Sequence, residues 1–89
     1  MKLKSGVIIT KAQGGFVAVD AGAASGRFNG MVKMNATAAF IAELLKDGAD
    51  EETLVKKTLE KYYVSESDAR ASVAEVLKNL RFAGLIEDE

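Results

Sequence analysis

The sequence predicts an α+β fold in which a three-stranded antiparallel sheet is followed by three helices. The first third of the chain holds runs of β-branched and aromatic residues separated by glycines, whereas hydrophobic residues recur with a period of about 3.6 after Asn35. Capping residues or glycines mark the boundaries of the helical part. With 89 residues, the chain is expected to form a single domain over residues 1–89.

The first two strands are predicted to form a hairpin. Val7–Thr10 and Phe16–Val19 are rich in β-branched and aromatic residues, which favour strands. Gly14 and Gly15 lie between them and can supply the positive φ that a tight reversal requires. Residues 21–26 are small, and we expect them to form an exposed, mobile loop.

A third strand is expected over Phe28–Met34, at the edge of the sheet, where free N–H and C=O groups can bond another strand. Alternation places Val32 and Met34 on one face. Met31 and Lys33 then lie on the other face. We expect Met34 in the core and Met31 on a contact surface, since methionine suits either place. Lys33 has two interpretations, because an edge lysine can attract a peptide or oppose aggregation.

Each of the three helices is predicted from an N-cap and an apolar face. The caps are Asn35, Asp50 and Ser65, whose side-chain oxygens can accept an amide of the first turn. Gly48 and Gly84 are expected to end the first and third helices. The apolar positions are Phe40, Ile41, Leu44 and Leu45 in the first helix, Leu54, Val55, Leu59 and Tyr62 in the second, and Ala69, Val73, Val76, Leu77 and Leu80 in the third.

The composition excludes several kinds of chemistry. The chain has no His, Cys, Pro or Trp, so thiolate nucleophiles, imidazole bases and the usual ligands of zinc, haem and iron–sulfur clusters are absent. We therefore expect no catalytic residues, no metal site and no cofactor, and a chain that is not an enzyme. The sequence shows no signal peptide and no membrane span, which favours a cytoplasmic location.

The net charge of −1 conceals a division along the chain. Residues 1–34 carry five basic residues and one acidic residue, a charge of +4, and residues 35–89 carry seven basic and twelve acidic residues, a charge of −5. In the third helix, a basic stripe lies beside the apolar one on a helical projection. Its members are Arg70, Ala74, Lys78 and Arg81. The stripe is either a contact surface or a solvated face whose long side chains cover apolar edges.

The order of motifs resembles that of the PqqD family over roughly residues 7–86. The resemblance rests on Phe28–Asn35, Thr37, Ala39–Ile41, Leu44–Gly48, Leu54, Val55, Tyr62–Val64, Asp68, Ala69, Val73, Leu77, Leu80 and Ala83–Ile86. It implies a RiPP recognition element, where a RiPP is a ribosomally made and post-translationally modified peptide. Such a domain is winged helix-turn-helix-like, holds the leader segment of a precursor peptide and presents it to a modifying enzyme, often of the radical SAM class. The pathway could be PQQ biosynthesis or another RiPP pathway.

The resemblance also implies that the leader adds as a strand beside the third strand, in a groove against the third helix. We therefore predict peptide-binding residues on these two elements. They are Gly30, Met31, Val32, Lys33, Met34, Arg70, Val73, Ala74, Leu77, Lys78 and Arg81. The basic residues of both elements would make this groove suited to an extended, acidic, partly apolar peptide.

Other functions compete with peptide binding. A winged-helix DNA-binding regulator would place the third helix in a major groove. The acidic helical half, with Glu66 and Asp68 at the start of that helix, disfavours nucleic acid as a partner. An open sheet edge could also pair with a second copy of the chain. An enzyme would have to use carboxylates or the two adjacent tyrosines. The sequence places Tyr62 on a core face and Tyr63 in a turn.

Overall fold

A computed structural model of the chain describes residues 1–20 and 31–87. Its elements are β1 (Lys2–Leu3), β2 (Val7–Ala12), β3 (Gly15–Asp20), β4 (Met31–Met34), α1 (Ala36–Leu44), α2 (Glu51–Lys61), α3 (Glu66–Phe82) and β5 (Ile86–Glu87). The predicted α+β order of three strands and three helices is confirmed. The predicted loop 21–26 and the first residues of the predicted third strand, 28–30, lie outside the described residues.

The main sheet has the order β2-β3-β4 and is antiparallel throughout. β2 and β3 pair along their whole length, and the chain reverses at Gln13 and Gly14. Gly14 has a φ of 81°, so the expected left-handed conformation falls on this glycine. β4 pairs with β3 and with no other strand of the described residues. It is the edge strand that the sequence predicts.

The three helix starts are capped as predicted. The Asn35 side chain accepts a hydrogen bond from the amide of Ala38 at 2.8 Å. Asp50 does the same for Thr53 at 2.7 Å, and the hydroxyl of Ser65 lies 3.1 Å from the amide of the third residue of α3. These bonds satisfy donors that have no partner within the helix. The position at which each helix begins is thus set by a local side chain.

The core lies between the three helices and the inner face of the sheet. α3 buries the whole apolar stripe that the sequence predicts, namely Ala69, Val73, Val76, Leu77 and Leu80. From the sheet, Ala18 and Met34 are buried against it. Thr58 of α2 is also buried, and its hydroxyl donates to the carbonyl oxygen of Leu54 at 2.7 Å, which satisfies the polar group.

A second, two-stranded sheet joins the ends of the described chain. β1 pairs antiparallel with β5, so Leu3 lies opposite Ile86. The amide of Leu3 also donates to the carbonyl of Leu45 at 2.9 Å, just after α1. Leu85 and Ile86 fold back onto the core as expected, whereas neither short strand was predicted from the sequence.

A substitution at Gly15 tests how closely β3 and β4 are packed. A Cβ at this position would lie 2.7 Å from the carbonyl oxygen of Met34, closer than real contacts allow. Gly15→Ala therefore forces the strands apart, and we expect the free energy of unfolding in a denaturant titration to fall by roughly 1–3 kcal/mol.

Gly14→Asn is the matched control for this experiment. A Cβ on Gly14 meets nothing within 4 Å, and asparagine tolerates the left-handed conformation that this position requires. The loss of stability should therefore be smaller than for Gly15→Ala. Equal losses at the two positions would contradict the close contact between β3 and β4.

Candidate functional site

The backbone of β4 offers bonding groups at the open edge of the sheet. The carbonyl oxygen of Met34 points towards β3, since it lies 2.7 Å from the position of a Cβ on Gly15. Successive residues of an antiparallel strand direct their backbone groups to opposite sides. Met31 and Lys33 therefore direct their N–H and C=O groups to the open edge. An extended peptide could pair with these groups.

A cleft lies between this edge and α3, and we call it the β4–α3 cleft. Its lining residues are Val32, Lys33, Met34, Asn35, Ala38, Glu75, Val76 and Asn79. A second cavity of about 180 Å³ adjoins it, because the two share Asn35, Ala38, Glu75 and Val76. This second cavity extends towards Tyr62 and Val64 of the turn after α2. The two cavities form one continuous depression along α3.

The β4–α3 cleft has an apolar floor and a polar rim. Met34 and Val76 are buried beneath it, and Val32 is half-buried. Glu75 and Asn79 are exposed at its rim on α3. Such a surface can hold apolar side chains of a ligand while hydrogen-bonding its polar groups.

One of the residues that line the cavity beside the cleft, Tyr62, makes an aromatic contact with α1. The ring of Tyr62 meets the ring of Phe40 edge to face, with centroids 5.7 Å apart and an interplanar angle of 85°. The ammonium of Lys61 lies 5.7 Å from the centroid of the same Phe40 ring. These contacts fix the end of α2 against α1 and thereby position Tyr62 at the cavity.

Two strand residues of the predicted site, Met31 and Lys33, lie where a ligand could reach them. Met31 is 51% exposed, and Lys33 is exposed on the same outer face of the sheet. Val32 and Met34 face the helices, and Met34 belongs to the core as expected. Gly30, the first residue of the predicted site, lies outside the described residues.

The helix residues of the predicted site do not line the β4–α3 cleft. Val73 and Leu77 are buried in the core. The basic stripe of Arg70, Ala74, Lys78 and Arg81 is exposed, but α3 is rotated so that its other flank, with Glu75 and Asn79, faces β4. The predicted groove between the strand and the basic stripe is therefore not formed. Contact between these α3 residues and a peptide stays a prediction. Their position in the fold does not support it, because they do not line the cleft beside β4.

Arg70 joins α2 to α3 instead. Its Nη1 and Nη2 donate to the two carboxylate oxygens of Glu52 at 2.7 and 3.0 Å, and its Nε donates to Glu66 at 2.9 Å. The hydrogen bonds from Arg70 hold the pKa of Glu52 below its usual range, and the two carboxylates raise the pKa of the guanidinium. The two-pronged geometry suits arginine and links the first turn of α2 to the first turns of α3.

Lys78 and Arg81 lie at the far end of α3. They form a shallow surface together with Asn79 and the exposed Phe82. This surface meets the β4–α3 cleft at Asn79, which belongs to both. Arg81 also lies 3.0 Å from the sulfur of Met1 through its Nη2.

Sequence reasoning missed the α3 residues that do line the cleft, namely Glu75, Val76 and Asn79. The helical projection placed Val76 in the buried stripe and Glu75 on the side remote from the basic residues. An apolar stripe has two flanks, and periodicity alone does not say which flank faces the sheet. The apolar stripe was the signal that the sequence offered, and it did not identify the flank of α3 that faces the sheet.

The family of the chain follows from a match over most of its sequence. A family model described as coenzyme PQQ synthesis protein D (PqqD) matches residues 12–86. The chain belongs to the PqqD family. The matched range runs from the end of β2 to β5, so it contains the edge strand, all three helices and the β4–α3 cleft. The resemblance seen in the sequence is confirmed.

Solved structures share the fold of this PqqD-family chain. One is described as TbiB1 in complex with the TbiA(beta) leader peptide, with a TM-score of 0.73, 20% identity, and coverage of 100% of this chain and 98% of that chain. Another is lasso peptide synthetase B1 complexed with the leader peptide, with a TM-score of 0.69, 24% identity and coverage of 98% and 96%. No curated protein matches significantly in sequence.

Over residues 1–20 and 31–87, no helix has the length and apolar character that a membrane crossing requires. In the same ranges, no three metal-binding side chains lie together.

A substitution at Arg70 tests whether this residue supports the fold. Because the pKa of Glu52 is lowered from 4.5 in the folded state, the pair stabilises the protein above about pH 4.5. That contribution is lost as the pH falls through the lower folded pKa. We expect Arg70→Gln to lower the melting temperature slightly at neutral pH, since both side chains are largely solvated. The difference from the unchanged protein should shrink as melts are recorded at successively lower pH below 4.5.

Lys78→Gln is the matched control for Arg70→Gln. It also removes one positive charge from α3, but Lys78 makes no ion pair with the described residues. Its melting temperature should follow that of the unchanged protein at every pH. A difference for Arg70→Gln that is independent of pH would contradict the assigned role.

Proposed function

We propose that the chain binds the leader segment of a ribosomally synthesised precursor peptide and presents it to a modifying enzyme. The observation that carries this proposal is the open edge of β4 beside a cleft with an apolar floor. Membership of the PqqD family supports it. So does a fold shared with TbiB1 and lasso peptide synthetase B1, both of which were solved with leader peptides.

In this proposal the peptide extends the main sheet by one strand. The outward N–H and C=O groups of Met31 and Lys33 bond its backbone, which provides affinity without regard to sequence. Alternate side chains of the peptide then point towards α3 and enter the β4–α3 cleft. Contacts with Val32, Met34 and Val76 select apolar residues there, and Glu75 and Asn79 select polar ones. The main chain thus provides attachment and the cleft provides specificity.

The proposed role is to bind a peptide while another protein performs the reaction. The second partner we propose is a peptide-modifying enzyme in the cytoplasm, with the radical SAM class as the first candidate to test. Neither a cofactor nor a metal has a part in the proposed binding step. PQQ biosynthesis and other RiPP pathways are both compatible with a peptide that binds by strand addition.

Proline at position 33 tests strand addition directly. Lys33→Pro removes one of the two outward N–H groups of β4 and leaves the bonds to β3 in place, because proline is tolerated on an edge strand whose N–H faces solvent. We expect the affinity for a labelled precursor leader peptide that binds the unchanged protein to fall about tenfold or more, as measured by fluorescence polarisation. The cause would be the lost hydrogen bond and the crowding of the pyrrolidine ring against the peptide.

Lys33→Ala is the matched control, because it removes the ammonium and keeps the N–H. Its affinity should stay within about threefold of that of the unchanged protein. Thermal melts of both variants show whether the sheet is intact. Strand addition at β4 is wrong if Lys33→Pro binds the peptide as tightly as Lys33→Ala does.

A further inference from the structure

Glu75 occupies a distinct position in the proposed peptide site. It lines both the β4–α3 cleft and the cavity that continues towards Tyr62, so it stands where the two meet. Its side chain is exposed and makes no ion pair or hydrogen bond with the described residues. A ligand that enters this depression therefore meets a free carboxylate above an apolar floor.

No basic side chain of α3 neutralises this carboxylate. Arg70 is held by Glu52 and Glu66 on another side of the helix. Lys78 and Arg81 belong to the shallow surface beyond Asn79. Lys33 is the one basic residue among those that line the cleft, and the alternation of β4 directs its side chain to the outer face of the sheet, away from α3. The inner side of the cleft therefore presents the carboxylate of Glu75 and no basic side chain from the lining residues.

The outer face of β4 has the opposite charge. Val32 and Met34 face the helices, so the side chain of Lys33 lies on the other face of the sheet, beside Met31. Lys33 is exposed and forms no ion pair with the described residues. A strand added to β4 would therefore have a carboxylate on its inner side and an ammonium on its outer side.

We propose that Glu75 and Lys33 together impose a charge pattern of period two on the bound peptide. This inference rests on the proposed strand addition. Side chains of paired strands share a face, so a peptide residue that points into the cleft meets Glu75 and is a lysine or arginine. A residue that points to the outer face meets Lys33 and is an aspartate or glutamate. Because the faces alternate, the basic and acidic residues are separated by an odd number of positions. The acidic, partly apolar peptide expected from the sequence is thereby replaced by one with two differently charged faces.

Selection from a random peptide library tests this pattern. The probe is a phage-displayed library of peptides of about twelve residues, longer than β4 at roughly 3.3 Å per residue. The library is selected on the full chain and on the Glu75→Lys and Lys33→Glu variants. Peptides selected on the unchanged chain should show a basic position and an acidic position at an odd offset. In peptides selected on Glu75→Lys, only the basic position should become acidic. In peptides selected on Lys33→Glu, only the acidic position should become basic.

A direct titration complements the selection. One peptide selected on the unchanged chain should bind Glu75→Gln roughly two- to fivefold more weakly at low ionic strength, and the difference should diminish as salt is added. Glu60→Gln is the matched control, since it removes one carboxylate from α2 and leaves the cleft unchanged. Its affinity should equal that of the unchanged chain.

The outcomes separate the charge pattern from the proposed function. Peptides that bind the unchanged chain but lose affinity for Lys33→Pro establish strand addition. If their basic position persists on Glu75→Lys, or lies at an even offset from the acidic one, the charge pattern is wrong and strand addition stands. If no selected peptide is sensitive to Lys33→Pro, the proposed function fails and the charge pattern fails with it.

Discussion

The rotation of α3 about its own axis determines which side chains face β4. Five apolar residues of α3 are buried in the core, and this stripe leaves the helix two flanks. Arg70 holds one flank to α2 through Glu52, so Glu75 and Asn79 on the other flank line the cleft. Burial of the apolar stripe sets the rotation of α3 about its axis, and the ion pair with Glu52 holds only the flank that carries Arg70. Because core side chains are closely packed, the helix cannot turn to present its basic residues to the sheet.

The edge of β4 is held in place before any ligand arrives. Gly15 allows the backbone of β3 to approach Met34 within a distance that no side chain would permit, and Asn35 fixes the start of α1 immediately after the strand. β4 is thus constrained at its carboxyl end by the sheet and by a helix cap. A strand that is already extended loses little entropy when another strand pairs with it. Most of the ordering on binding then falls on the peptide.

Features that depend on neighbouring residues were predictable from the sequence, and those that depend on distant contacts were not. Asn35, Asp50 and Ser65 act within one helical turn, so their caps were identified correctly. β1 and β5 have two residues each and exist only because they pair with each other, so neither shows a periodic pattern. The choice of flank on α3 depends on where α2 and the sheet lie. It is a tertiary property, and the sequence alone therefore could not show that Glu75 and Asn79, rather than the basic stripe, lie beside β4.

The pairing of β1 with β5 brings the two ends of the described chain together, with Lys2 opposite Glu87. This junction also bonds to the chain just after α1, whereas the Asn35 end of the β4–α3 cleft lies before that helix. α1 has nine residues, so it spans about 13 Å. A protein fused at either end would leave the domain from the same point, one helix length from that end of the cleft. A short linker could join the ends, and a circularly permuted chain could then be opened elsewhere with β4 kept whole.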